Sequence, residues 1–219
     1  MQLNVNQISK SYPGHPVLRN LTFTLDSEAA DPARQNLLLT GPSGVGKTTL
    51  LRMLAGLEAP DSGSILYFRK STQTTNAENP AVPFQPRISM VFQEDRLFQG
   101  FTARENIAAV SPMLSRKATD TLLSEILPQD ALHKPVRELS GGMKRRVAIV
   151  RAIAATSDLL IMDEPFTGLD ADTREHVISF IFRHKEHRPL ILSSHETAGL
   201  PAMKVLELKS LTTTTTVCP

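Results

Sequence analysis

A single cysteine, Cys218, stands among 219 residues, so no disulfide can close within the chain and no cysteine-based zinc site is expected. No stretch approaches the roughly 18 consecutive apolar residues of a membrane-spanning helix. The opening "MQLNVNQISKSYPG" has neither a basic start nor an apolar core, and no signal peptide is expected. These absences leave a reduced, cytoplasmic setting as the expectation, with any membrane role coming through a partner. Charge of one sign is also scarce. The formal net charge is +2, too small to argue for nucleic acid or an anionic membrane surface. No repeat of solenoid length is present. The remaining composition, 41% hydrophobic and 21% charged, is that of an ordinary globular chain long enough to bury a substantial core.

Along the chain, Leu3, Val5 and Ile8, then Leu21, Phe23 and Leu25, alternate as in short strands separated by the turn-rich "YPGHP". Leu37 to Leu39 form a compact apolar run ahead of "TGPSGVGKTT". Helical periodicity follows through Leu50, Leu51, Leu54 and Leu57 and stops at "APDSG". Ile65 to Phe68 predict a further strand. Residues 71–86, polar with three prolines, predict an exposed loop, and "RISMVFQ" a buried strand ending at Gln93. From Thr102 to about Asp158 the pattern is helical, as in an inserted subdomain. Strand signals return at 159–162 and 190–194, around a helix near 171–184. Strand, helix, strand alternation predicts a parallel α/β sheet. The threonine-rich end, 210–219, predicts a flexible tail.

Gly41-Pro42-Ser43-Gly44-Val45-Gly46-Lys47-Thr48 satisfies G-x-x-x-x-G-K-[ST]. Glycines let the backbone wrap around phosphates, lysine reaches the β- and γ-phosphates, and the hydroxyl serves Mg²⁺. A chance match is on the order of 10⁻⁵ per starting position. The strand before it and the helix after it are the context the motif requires. Further on, "DLLIMDEP" sets Asp163 and Glu164 directly after four buried-type residues. At the end of a parallel strand they would face the phosphate loop of a neighbouring strand. There Asp163 suits a contact to Mg²⁺ and Glu164 the polarising of a water. Ser140, Gly141 and Gly142 open another helix whose stripe is Met143, Val147, Val150 and Ala154, and Ser140 can cap it. Two glycines at a helix start can hold an anion, yet no lysine motif lies beside them. The basic cluster Lys144–Arg146 reads as a solvated face, since it lacks interleaved aromatics.

Taken in order, these segments resemble the motifs of ATP-binding cassette (ABC) ATPases over nearly the whole chain. "TGPSGVGKTT", including Thr49, is similar to the Walker A loop, Gln93 to the Q-loop, and "LSGGM" to the signature. "LLIMDEP" resembles Walker B with its catalytic glutamate, "FTGLDADTR" the D-loop, and His195 in "LSSHE" the switch histidine. The resemblance implies a P-loop NTPase core with a parallel sheet, an N-terminal antiparallel β subdomain and a helical subdomain at about 94–157, together one ABC ATP-binding domain over 1–219. It implies that Ser140, Gly141 and Gly142 bind the γ-phosphate of an ATP held by Lys47 of another subunit. By the same resemblance Tyr12 stacks on adenine, Gln93 contacts Mg²⁺ and water, His195 orients the water with Glu164, and Asp170 links the two sites. Met143 stands where the family commonly has glutamine.

"QEDRLFQGFTARENI" is similar to the same stretch in compact importers of nitrate, sulfonates, taurine and thiamine precursors. The expectation is therefore the ATP- and Mg²⁺-dependent subunit of a membrane importer. It would sit peripherally on the cytoplasmic membrane face as a homodimer, or a heterodimer with a similar ATPase. Its partners would be transmembrane permease subunits and a periplasmic or extracellular solute-binding protein, with no direct nucleic acid. An exporter ATPase would carry the same motifs. A non-transport ABC ATPase of DNA repair, chromosome or translation work is the alternative, though it usually brings a coiled-coil insertion or tandem cassettes.

Overall fold

The computed structural model describes residues 1–70 and 81–210. A four-stranded antiparallel sheet, in spatial order β2-β1-β4-β5, is built from β1 (Gln2–Tyr12), β2 (His15–Asp26), β4 (Ser62–Lys70) and β5 (Ala81–Pro83). A five-stranded parallel sheet runs β6-β7-β8-β3-β9. Its strands are β3 (Leu37–Thr40), β6 (Ile88–Val91), β7 (Leu159–Asp163), β8 (Leu190–Ser193) and β9 (Lys204–Glu207). Helix α1 (Lys47–Leu54) follows β3. Helices α2 (Ala103–Ala108), α3 (Arg116–Ile126) and α4 (Gly141–Ala154) come between β6 and β7, and α5 (Ala171–His184) between β7 and β8.

The central parallel strands β3, β7 and β8 read as largely apolar runs because both faces are covered. Side chains alternate between faces with a period of two. Thus Leu37, Leu39, Leu159, Ile161 and Ile191 join the core shared with α1 and the antiparallel sheet. Leu38, Leu160, Met162, Leu190 and Leu192 join the opposite core under α2 to α5. The predicted stripe of α4 is carried by buried Val147 and Val150, with Met143 and Ala154 half-buried at its edge.

Several expectations change. Residues 81–83, read as loop, form β5 and pair antiparallel with the end of β4; Pro83 is tolerated because β5 is the sheet edge. Residues 84–86 carry neither helix nor strand, 71–80 of the predicted loop lie outside the described residues, and so do 211–219 of the predicted tail. Leu57 is not helical. Helix α1 ends at Leu54, Gly56 turns the chain with positive φ, and the Leu57 side chain is exposed. β6 stops at Val91, two residues before Gln93. β9 was not anticipated, since "KVLELK" shows the core only Leu206 and Leu208. β7 is not adjacent to β3, because β8 lies between them.

Arg188 fastens the helical layer. Its guanidinium donates to the carbonyls of Ile153 and Ala155 at the end of α4 (both 3.1 Å) and of His184 at the end of α5 (2.9 Å). These are carbonyls a helix C-terminus leaves without an internal partner. Arg188→Ala is expected to lower the unfolding free energy by about 2 kcal/mol, as measured by urea denaturation, because several acceptors lose a charged donor together.

Candidate nucleotide-binding site

The glycine-rich loop owes its shape to close backbone approach. Gly46 has φ +106°, and a Cβ there would lie 2.6 Å from Val17 Cγ1. Gly41 has φ +135°, and a Cβ there would run into the carbonyl oxygen of Leu208, just past β9. Four of the described α-helices start with a side-chain cap: Thr102 on α2, Ser115 on α3, Ser140 on α4 and Asp170 on α5. Helix α1 starts with Gly46 and has none. Its first-turn N–H groups, at the positive end of the helix dipole, are left for an anion.

Those amides open into a cleft of about 320 Å³. Ser43, Gly44, Gly46, Lys47, Thr48 and Thr49 line one wall, Tyr12 and Val17 the side, and Gln93, Glu164 and His195 the far wall. Lys47 is 6% exposed, and its amine donates to the carbonyls of Gly41 (2.9 Å) and Pro42 (3.2 Å). The same amine lies 3.6 Å from Glu164 Oε1 and 3.4 Å from His195 Nε2. Glu164 Oε1 and His195 Nε2 are 3.1 Å apart. Val45 turns away into the core. Asp163 is buried beneath the cleft; its Oδ1 accepts from Ser193 Oγ at 2.7 Å and its buried Oδ2 has no hydrogen-bond partner. Tyr12 is half open at the cleft mouth, and its hydroxyl donates to Glu58 (2.7 Å).

Other predicted residues fall elsewhere. Ser140, Gly141 and Gly142 do not line this cleft. They sit at the exposed start of α4, where Gly142 packs beneath Leu169 and the Gly168 carbonyl. Asp170 caps α5, accepting from the N–H of Thr173 (2.9 Å) and from its hydroxyl (2.8 Å), which hold its carboxyl below the usual range.

The basic cluster is not a solvated face. Arg145 is buried and donates to the carbonyls of Phe92 (2.6 Å) and Gln93. Arg146 is half-buried and donates to the carbonyls of Ile126 (2.6 Å) and Gly142 (3.2 Å), and burial pulls its pKa down. One helical turn beyond Val147, Arg151 donates to the carbonyls of Arg96 (2.7 Å) and Asp95 (3.3 Å). Two guanidinium groups on α4 thus grip four carbonyls between residues 92 and 96. Sequence reasoning missed this grip because a run of cations on an amphipathic helix gives no sign of which one turns inward. It missed Val17 too, which lies on β2 with no motif around it.

A lysine-bearing loop on an uncapped helix, facing a glutamate and a histidine at the ends of neighbouring parallel strands, defines a P-loop nucleotide-hydrolysing protein. The comparisons make this specific: the family model described as "ABC transporter" matches residues 18–167, and the chain belongs to that family. As a member it binds and hydrolyses ATP as a subunit of an ABC transporter. It is 35% identical over 204 residues to the taurine import ATP-binding protein TauB of Roseobacter denitrificans, spanning 88% of this chain and 71% of that one. It is 39% identical over 186 residues to the aliphatic sulfonates import ATP-binding protein SsuB of Bacillus licheniformis, spanning 82% and 67%. A dimeric ATP-binding cassette solved in a post-hydrolysis state with ADP and phosphate shares the fold, with TM-score 0.75, 21% identity and 94% of each chain covered. Among the described residues no helix is long and apolar enough to cross a membrane.

Truncating the Arg145 side chain should release its loop. Arg145→Ala is expected to raise amide hydrogen exchange across residues 92–96 by about tenfold or more, the equivalent of one lost charged hydrogen bond, while β3 stays protected.

Proposed function

We propose that the chain is the energising subunit of an importer of small solutes, with sulfonates such as taurine the first cargo to test. It would work as a dimer that closes on two ATP molecules and reopens after hydrolysis. The observation that carries the dimeric part is a division within one chain. Lys47, Glu164 and His195 share a cleft, whereas Ser140, Gly141 and Gly142 stand outside it at the start of α4. A second copy facing the first would lay its α4 N-terminus over the γ-phosphate. Asp170, beside that terminus, would join the two sites. Import and the sulfonate cargo are supported by what the TauB and SsuB relatives are named for. Membrane attachment would come through permease subunits on the cytoplasmic face, with a solute-binding protein outside.

The chemistry is in-line attack of water on the γ-phosphate, giving ADP and phosphate. The N–H groups of residues 44–48 and the Lys47 amine take up charge spread over the phosphate oxygens. Glu164 accepts a hydrogen bond from the attacking water, and His195, 3.1 Å from that carboxylate, steadies both. Tyr12 would stack on adenine while Glu58 holds its hydroxyl. Thr48, Gln93 and Asp163 would hold Mg²⁺, a fit supported by the partnerless, buried Oδ2 of Asp163. When bound, that ion would neutralise charge on the phosphate oxygens.

Glu164→Gln should preserve closure and remove water activation. Size-exclusion chromatography with Mg-ATP is expected to show a stable dimer with little hydrolysis, and a persistent monomer would count against the scheme. Mixing Lys47→Ala with Ser140→Arg subunits tests the division directly. If each site is shared between copies, the heterodimer regains one working site and its activity returns. If each chain completes its own site, both chains are dead and the mixture stays silent.

A further inference from the structure

We propose that Ser193 is a positioning residue for hydrolysis, a single hydroxyl that orients both acidic residues at the end of β7. The inference rests on the reading of Glu164 given above. Asp163 and Ser193 are paired neighbours at the last register position of β7 and β8. Ser193 Oγ donates to Asp163 Oδ1 at 2.7 Å and accepts from the N–H of Glu164 at 2.9 Å. A serine hydroxyl has one proton and two lone pairs. With the proton committed to a carboxylate, only a lone pair can face Glu164, so the two bonds fix one another's direction. Ser193 is wholly buried, and its bond to Asp163 is shielded from bulk water.

Both bonds have work to do. Glu164 adopts φ +49°, a left-handed conformation that costs a non-glycine residue about 1 kcal/mol or more and persists only where the surroundings impose it. The bond from its N–H to Ser193 supplies that constraint at the residue itself, and so aims the carboxylate at His195 Nε2 and Lys47 Nζ. On the other side, occupying Asp163 Oδ1 settles which oxygen stays open, namely the buried Oδ2. Neither β7 nor β3 could do this. β8 alone lies between them, so its last residue reaches the acids while the residue two further on, His195, reaches the cleft.

Turnover and ATP affinity of the full chain carrying Ser193→Ala, Ser193→Val or Ser193→Thr decide the matter. Alanine and valine are expected to lower kcat about ten- to a hundredfold, the rate equivalent of a lost hydrogen bond to a charged group, with ATP affinity within about threefold. Threonine has the shape of valine but keeps the hydroxyl, and it should retain kcat within about fivefold. Because Thr and Val crowd the strand alike, their difference reads the hydroxyl even if both lower the melting temperature. In a Glu164→Gln background, Ser193→Ala should lower residual turnover by clearly less than in the parent chain, since one of the two acids it positions is already gone and only the bond to Asp163 remains to be lost. Equal impairment of Thr and Val, or full-rate Ser193→Ala beside an inactive Glu164→Gln, overturns the inference alone. A Glu164→Gln chain that hydrolyses at full rate overturns the assignment of Glu164, and with it the need for a positioner.

Discussion

The uncapped start of α1 is the constraint around which the molecule is arranged. A helix N-terminus normally satisfies its first amides from its own side chains, and α2 to α5 all do so. Here Gly46 holds the position instead, with Val17 pressed so close that no side chain could be added. The loop's carbonyls have a use as well, since those of Gly41 and Pro42 receive the Lys47 amine. A lysine almost wholly removed from water would ordinarily be costly. Two acceptors and the nearby Glu164 carboxylate offset that cost, and they keep the cation beside the amides where an anion would bind.

Opposite that loop, the far wall is assembled by elements from two directions. β7 and β8 end together and bring Glu164 and His195 within contact. Gln93 arrives on a segment that β6 has already released, and its backbone is gripped by Arg145 from α4. The start of α4 is the Ser140–Gly142 turn, so the segment carrying Gln93 and the turn proposed above to cover a second copy's nucleotide are fastened to one helix. Movement of that helix would be felt in the cleft through the bonds that the Arg145 guanidinium donates to the segment's carbonyls. No side chain would need to change partners.

The sequence was legible where a pattern is short and local. Gly41 to Thr48 needs only a strand before and a helix after, and both are present. The apolar runs at 37–39 and 159–162 and the strand signal at 190–194, alternating with helical segments, predict a parallel sheet, and the structure supplies the order of its strands. That order mattered: with β8 inserted between β3 and β7, the residue bridging the two acids is Ser193, which no motif in the sequence marks. Arg145, Val17 and β9 were equally silent. Each depends on what a distant segment places opposite it, and neither periodicity nor composition encodes that. Leu57 fitted a helical stripe by spacing, but Gly56 ended the helix first.

β3, the strand that launches the phosphate loop, finds both of its sheet neighbours in β8 and β9, near the other end of the chain. Asn36, at its entrance, is bonded to Leu190 across 154 residues of sequence. Leu208 donates its N–H to Thr40, and its carbonyl abuts Gly41. On a ribosome, then, the motif most recognisable in the sequence would emerge early and wait. Its cradle gains a floor only when the segment through Leu208 has been synthesised, so a nascent chain would complete its grip on nucleotide only after β8 and β9 have emerged.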